Sequence, residues 1–243
     1  MKRKIFCLLT LVLFTTTVFT QTKEKIEAAV LNKNVVFLVV SDGNARLSEA
    51  KEIASQAQKK YPKSEVITLD RLDQTNAALI SKYGLSGAPT PILLVMATNG
   101  VVTGGYVLDQ ASPDKLVDAI PTKKQADALL AFSEGKSAFI ILYKKSMTDK
   151  TVAIQECKNA VAALNTKAVV VDVDLEDKSE VEFLSLLKPE LDATITHILV
   201  FNNKGQFTGE FKSPVSSSDL IAASRKVISS SCAPGAGSGC CPK

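Results

Sequence analysis

Apolar residues in this chain fall into short unbroken runs separated by amphipathic stretches, and the same order of segments occurs twice. Val35 to Val40 and Ala138 to Leu142 are apolar without alternation, the pattern of strands buried on both faces. An amphipathic segment opened by a threonine precedes each run: Thr22-Lys-Glu-Lys-Ile-Glu-Ala-Ala-Val, then Thr122-Lys-Lys-Gln-Ala-Asp-Ala-Leu-Leu. Threonine suits the N-cap of a short helix. Helices are predicted next over Leu47 to Tyr61 and about Lys150 to Leu164. Strands ending at Asp70 and Asp174 follow, then helices over Gln74 to Tyr83 and Lys178 to Leu187. Ile92 to Met96 and Ile198 to Phe201 lead into turns at Asn99-Gly100 and Lys204-Gly205. A Gly turn between apolar runs signals a hairpin. Val101 to Val107 and Gln206 to Phe211 close these hairpins, and helices over Pro113 to Ile120 and Ser217 to Ile228 end each copy.

The spacing of matched residues grows from 100 at Thr22/Thr122 to 104 at Asp70/Asp174 and 105 at Gly100/Gly205, as small loop insertions would produce. In each copy the order is α-β-α-β-α-β-β-α. Its β-α-β part implies a parallel pair with a right-handed crossover, and its hairpin adds an antiparallel edge. The expected fold class is α/β: two tandem domains, each a mixed central sheet flanked by helices. The short connection Ile120-Pro121-Thr122 places them close together. The boundaries read as 1–20 signal peptide, 21–121 first domain, 122–230 second domain and 231–243 Cys-rich tail.

A length of 243 residues, 46% of them hydrophobic, suffices for two ordinary domains. The signal reading rests on Lys2, Arg3 and Lys4 followed by apolar Ile5 to Phe19. That run is short of the roughly 20 residues a span needs, so no stable membrane span is expected after cleavage. Val18 and Thr20 suit cleavage before Gln21; an uncleaved anchor is the alternative. Cys7 lies too early in the run to be a lipidation site. Export to the periplasm or outside the cell is expected. Without the three leading cations, 26 basic residues face 25 acids, a charge near +1. Such a chain has no electrostatic case for nucleic acid or anionic lipid.

The segment Tyr83-Gly-Leu-Ser-Gly-Ala-Pro-Thr-Pro-Ile-Leu-Leu-Val, followed by Asn99-Gly100, resembles the thioredoxin family. The resemblance implies two thioredoxin-like domains and matches Pro89 to the family's cis-proline. Pro89 and Thr90 are therefore candidates for a peptide groove. It also places the reactive Cys-x-x-Cys after the first central strand, where a helix N-terminus stabilises a thiolate. Those positions read Ser41-Asp-Gly-Asn-Ala-Arg46 and Lys144-Lys-Ser-Met-Thr-Asp149, without a cysteine, and the buried acid expected in the preceding strand is missing as well. No catalytic residue is assigned. In the second copy Ile195 falls opposite Pro89, and a trans peptide is expected there. Asp42 or Asn44 is expected to cap the helix from Leu47.

Cysteine chemistry concentrates in the tail. Cys232, Cys240 and Cys241 lie among Gly, Ser, Ala and Pro, a composition that builds no core and predicts a flexible tether. Three thiols there can hold a soft metal or metalloid, with Cu(I) or zinc as candidates, the latter with an outside ligand. They can instead exchange with a partner disulfide, or form a passive disulfide or an intermolecular link. Cys157 shares a helical face with Ala153, Ala160, Val161 and Leu164 and reads as a buried inert thiol, with Ala54 at the matching place. His197, the sole histidine, is either a ligand or proton relay, or structural. No phosphate loop, dinucleotide fingerprint or zinc-protease helix is present. The expected function is an exported, non-catalytic protein that binds a protein or peptide partner, with a metal-binding tail. A thiol-disulfide exchange protein and a purely structural partner-binding protein are the alternatives.

Overall fold

The computed structural model describes residues 22–43, 46–189 and 194–228. The segments read as signal and Cys-rich tail lie outside the described residues, as does Asn44. The first domain comprises α1 (Thr22–Leu31), β1 (Val35–Ser41), α2 (Leu47–Lys60), β2 (Ser64–Asp70), α3 (Ala77–Lys82), β3 (Ile92–Met96), β4 (Val102–Val107) and α4 (Pro113–Asp118). The second comprises α5 (Lys123–Ser133), β5 (Ser137–Tyr143), α6 (Lys150–Ala163), β6 (Ala168–Asp174), α7 (Val181–Leu187), β7 (His197–Phe201), β8 (Phe207–Lys212) and α8 (Ser217–Ser224). This is the order expected from the hydrophobic pattern.

Each domain has one four-stranded sheet, in the orders β2-β1-β3-β4 and β6-β5-β7-β8. The first pair named in each is central strand against parallel neighbour; the hairpin strands run antiparallel. Every residue of β1 is buried, which explains its unbroken apolar run: the sheet is covered on both faces. Val36, Leu38 and Val40 pack with Ile26, Ala29 and Leu79 on one face. Val35, Phe37 and Val39 pack with Ala50, Ala54 and Leu116 on the other. The second sheet is double-faced in the same way.

Helix ends correct the alignment of the two copies. Lys33 and Gly135 both adopt left-handed backbone, with φ of 57° and 68°. The next amides, of Asn34 and Lys136, donate back to Ala29 and Ala131. These residues are equivalent, so Thr22 matches Lys124 and not Thr122. Thr122 does cap α5, its hydroxyl accepting from the Gln125 N–H at 3.4 Å. Thr22 lies inside α1.

The domains meet through α5. Its Ala126, Leu129 and Leu130 pack on Ala97 and Val101 at the hairpin end of the first sheet. The equivalent residues of the second hairpin are Asn202 and Gln206, polar where the first are apolar. Their side chains donate to the carbonyls of Lys226 and Ile228, at 2.9 and 3.2 Å.

Candidate functional site

Asp42 lies in the loop directly after β1, within the segment 41–46 where the resemblance places reactive thiols. Its carboxylate accepts from Arg71 Nη2 at 2.9 Å. A hydrogen bond from the Thr90 side chain, with the Arg71 guanidinium, holds the Asp42 carboxyl below its usual range against the opposing effect of burial. Arg71 also donates to the carbonyls of Leu85 and Ala88, at 3.3 and 2.5 Å. One guanidinium therefore ties the loop after β1 to the segment leading into β3. Asp42 is committed to this network and does not cap α2. Arg46 sits at that N-cap without a side-chain cap bond; its guanidinium pairs with Glu49 and Asp109.

The cis peptide lies between Thr90 and Pro91, not at Pro89. Pro91 is buried and directly precedes β3, where its carbonyl accepts from the Leu108 N–H, whereas Pro89 is exposed. Sequence spacing favoured Pro89 because two prolines flank one threonine; the strand register decides between them. Ile92 lies opposite Val40, and His197 lies opposite Leu142. Thr196, not Ile195, is thus the counterpart of Pro91. Ile195–Thr196 is not among the cis bonds of the described residues, which are Thr90–Pro91 and Ser213–Pro214.

The second domain closes its corresponding loop differently. Both carboxylate oxygens of Asp149 bind Thr196, accepting its N–H at 2.8 Å and its hydroxyl at 3.0 Å. Thr196 is fully buried. Burial disfavours the charge on Asp149, yet the two donors of Thr196 outweigh it and leave the carboxyl below its ordinary range. Met147, also buried, turns its sulfur to the Lys144 N–H at 3.3 Å. In each domain an aspartate of the loop after the central strand is thus bonded to a threonine just ahead of the antiparallel neighbour of that strand. Neither Asp149–Thr196 nor Arg71 was found from sequence, because the partners are far apart in the chain and no motif links them.

Cys157 is completely buried beside Ala153 and Ala160, as its spacing implied. Burial pushes its thiol up to about 12, far from a reactive thiolate. His197 is also buried. Its Nδ1 lies 2.6 Å from Glu210 Oε1, while its Nε2 has no partner among the described residues. No group of three or more His, Cys, Asp or Glu able to hold a metal occurs among the described residues. Cys232, Cys240 and Cys241 lie outside them. The last described stretch, at Lys226 and Ile228, is bonded to Asn202 and Gln206, beyond Phe201, whose partner Ala138 lies at the start of β5. The loop at Lys144–Asp149 lies past the other end of that strand.

No protein-family model matches the chain, and no curated protein matches it. Among solved structures, the first two thioredoxin domains of Naumovozyma dairenensis Eps1p are 10% identical, covering 83% of this chain and 94% of that one with a TM-score of 0.33. The first two thioredoxin domains of Saccharomyces cerevisiae Eps1p are 10% identical over 85% of this chain and 96% of that one, TM-score 0.30. The zinc-bound form of human ERp44 is 16% identical over 83% and 56%, TM-score 0.36. At such identities the likeness does not extend to function. The fold rests on the sheets themselves: each has one parallel pair, one antiparallel hairpin and helices on both faces, the architecture of two tandem thioredoxin-like α/β domains.

Proposed function

We propose that this chain is an exported, non-catalytic binding protein whose thiol chemistry is confined to Cys232, Cys240 and Cys241. One observation carries the reading: in each domain the loop between the central strand and the next helix, where the resemblance puts the thioredoxin thiols, holds no cysteine and carries a carboxylate fixed in hydrogen bonds, Asp42 with Thr90 and Arg71, Asp149 with Thr196. A carboxylate so held offers neither a nucleophile for disulfide attack nor a leaving group. The remaining thiol of the body, Cys157, is buried and protonated.

The domains then serve as surfaces for a protein or peptide partner, with Pro89 and Thr90 beside the first locked loop. Three thiolates suit a soft ion such as Cu(I), or zinc with a further ligand. His197 is a poor contributor, since its imidazole is buried and bonded to Glu210.

The test compares the mature protein with a variant lacking residues 232–243. Under anaerobic reducing conditions the first should take up Cu(I) or Zn(II) stoichiometrically and the second should not. Equal uptake by both would sink the metal reading. Tail-dependent reduction of insulin would replace it with thiol exchange. Mass spectrometry of secreted protein should find Gln21 at the N-terminus.

A further inference from the structure

A groove of about 830 Å³ opens at the domain junction. Val30 and Val102 of the first domain form its accessible apolar floor over the buried Met96, and Leu130 of α5 contributes from the second domain. The repeat supplies an internal comparison. Val30 matches Phe132: each packs on its hairpin glycine, Gly100 or Gly205, at the distance where an added Cβ would meet it at 3.3 Å. Met96 matches Phe201 and Val102 matches Phe207, since both pairs sit at the same bulged step of their hairpins. In the second domain these three positions hold phenylalanines in ring contact, Phe132 to Phe201 at 5.8 Å and Phe201 to Phe207 at 5.6 Å. The first domain carries smaller side chains at all three. Met96 is itself fully covered, so the apolar surface that the rings of the second domain close over is left accessible in the first at Val30 and Val102.

The charges at the mouth are unbalanced. Glu27 and Glu134 line the groove, but each carboxylate turns to a lysine, Lys23 at 3.8 Å and Lys136 at 2.7 Å. Lys33 and Lys82 also line it and are exposed. Neither has a carboxylate within ion-pair distance among the described residues; Lys82 stands over the Tyr83 ring at 5.2 Å. Two uncommitted ammonium groups thus border an apolar trough large enough for a small amphiphile.

We propose that this groove binds a free single-chain carboxylate of fatty-acid type, its acyl chain on Val30, Val102 and Leu130 and its head at Lys33 and Lys82. Titration calorimetry of the mature protein with laurate, kept below its micelle concentration and with dodecanol as neutral control, tests it. Laurate should bind saturably. The variant V30F/M96F/V102F imports the side chains of the second domain and should weaken binding at least about tenfold. Its thermal midpoint should stay at or above that of the parent, and Val102→Phe alone should weaken binding in the same direction. Exchanging Lys33 and Lys82 for alanine should weaken laurate by about three- to tenfold and leave dodecanol unchanged. Absence of laurate binding, or unchanged affinity in the refilled variants, overturns the site. Equal effects of the lysine exchange on laurate and dodecanol overturn the assigned head group.

Discussion

Asp149 holds Thr196 with both carboxylate oxygens, at 2.8 Å to the backbone N–H and 3.0 Å to the hydroxyl. The residues lie 47 positions apart, so one side chain closes the loop after β5 onto the entry of β7. Asp149→Ala leaves the buried Thr196 N–H without its acceptor and its hydroxyl with only the Met147 sulfur at 3.8 Å, and should cost about 1–3 kcal/mol, read by denaturant unfolding. Thr196→Val removes only the hydroxyl and should cost less. The folded-state pKa of Asp149 is lowered, so its contribution is present above the ordinary aspartate value of about 3.9 and is lost as pH falls through the lower folded value. The stability gap between parent and Asp149→Ala should therefore be full at neutral pH and shrink in strong acid. A gap that persists undiminished at the lowest pH would contradict this assignment.

Cys157 should be invisible to thiol reagents in the folded protein. It has no exposed surface, and burial raises its thiol to about 12. In a variant lacking residues 232–243, reaction with a chromogenic disulfide at mildly alkaline pH should proceed at the rate of unfolding. Cys157→Ala, which copies Ala54 of the first domain, should cost about 1–2 kcal/mol. Cys157→Ser should cost more, because it buries a hydroxyl. Rapid labelling of native protein would contradict the burial.

Regular structure was legible because burial repeats along this chain with the period of its elements. Continuous apolar runs at β1 and β5 could only be strands covered on both faces, and the glycine turns fixed both hairpins. What stayed hidden depends on contacts between distant residues. Thr90 lies between two prolines, and only the register of Ile92 against Val40 shows that Pro91 enters the strand. Asp42 reads as a helix cap until Arg71, 29 residues away, takes its carboxylate. Matching the two opening threonines misjudged the helix register by two residues, because the helix ends at Lys33 and Gly135 fix it, not the starts.

His197 and Glu210 should behave as a mutually dependent pair. The matching residues of the first domain are Ile92 and Gly105, so that backbone accepts an apolar side chain at the histidine position. Nε2 of His197 is already buried without a partner among the described residues. His197→Ile should therefore change stability by less than about 1 kcal/mol, whereas Glu210→Ala, which leaves Nδ1 unpaired as well, should cost about 1–3 kcal/mol. Thermal unfolding of both variants decides. A histidine exchange that costs more than the glutamate exchange would show that the imidazole supports the fold through some other contact.

Asn202 ties the chain after α8 to the turn of the second hairpin. It is buried, and its side chain makes four hydrogen bonds: Oδ1 accepts the amides of Lys204 and Gln206, each at 3.0 Å, and Nδ2 donates to Gln206 Oε1 at 2.8 Å and to the Lys226 carbonyl at 2.9 Å. In the first domain the same place is Ala97, and the next domain's helix covers it. The amide thus satisfies backbone groups of the turn and of the chain after α8 together. Asn202→Ala copies the first domain without supplying its covering helix. It should cost about 1–3 kcal/mol and free the chain after α8. Arg225 and Lys226 lie in that stretch, so limited trypsin digestion should remove the three tail cysteines from the variant well before it cuts the folded body. Under the same conditions the parent should keep them longer. Equal rates of tail loss would mean that Asn202 braces only its own turn, and that the tail is anchored elsewhere.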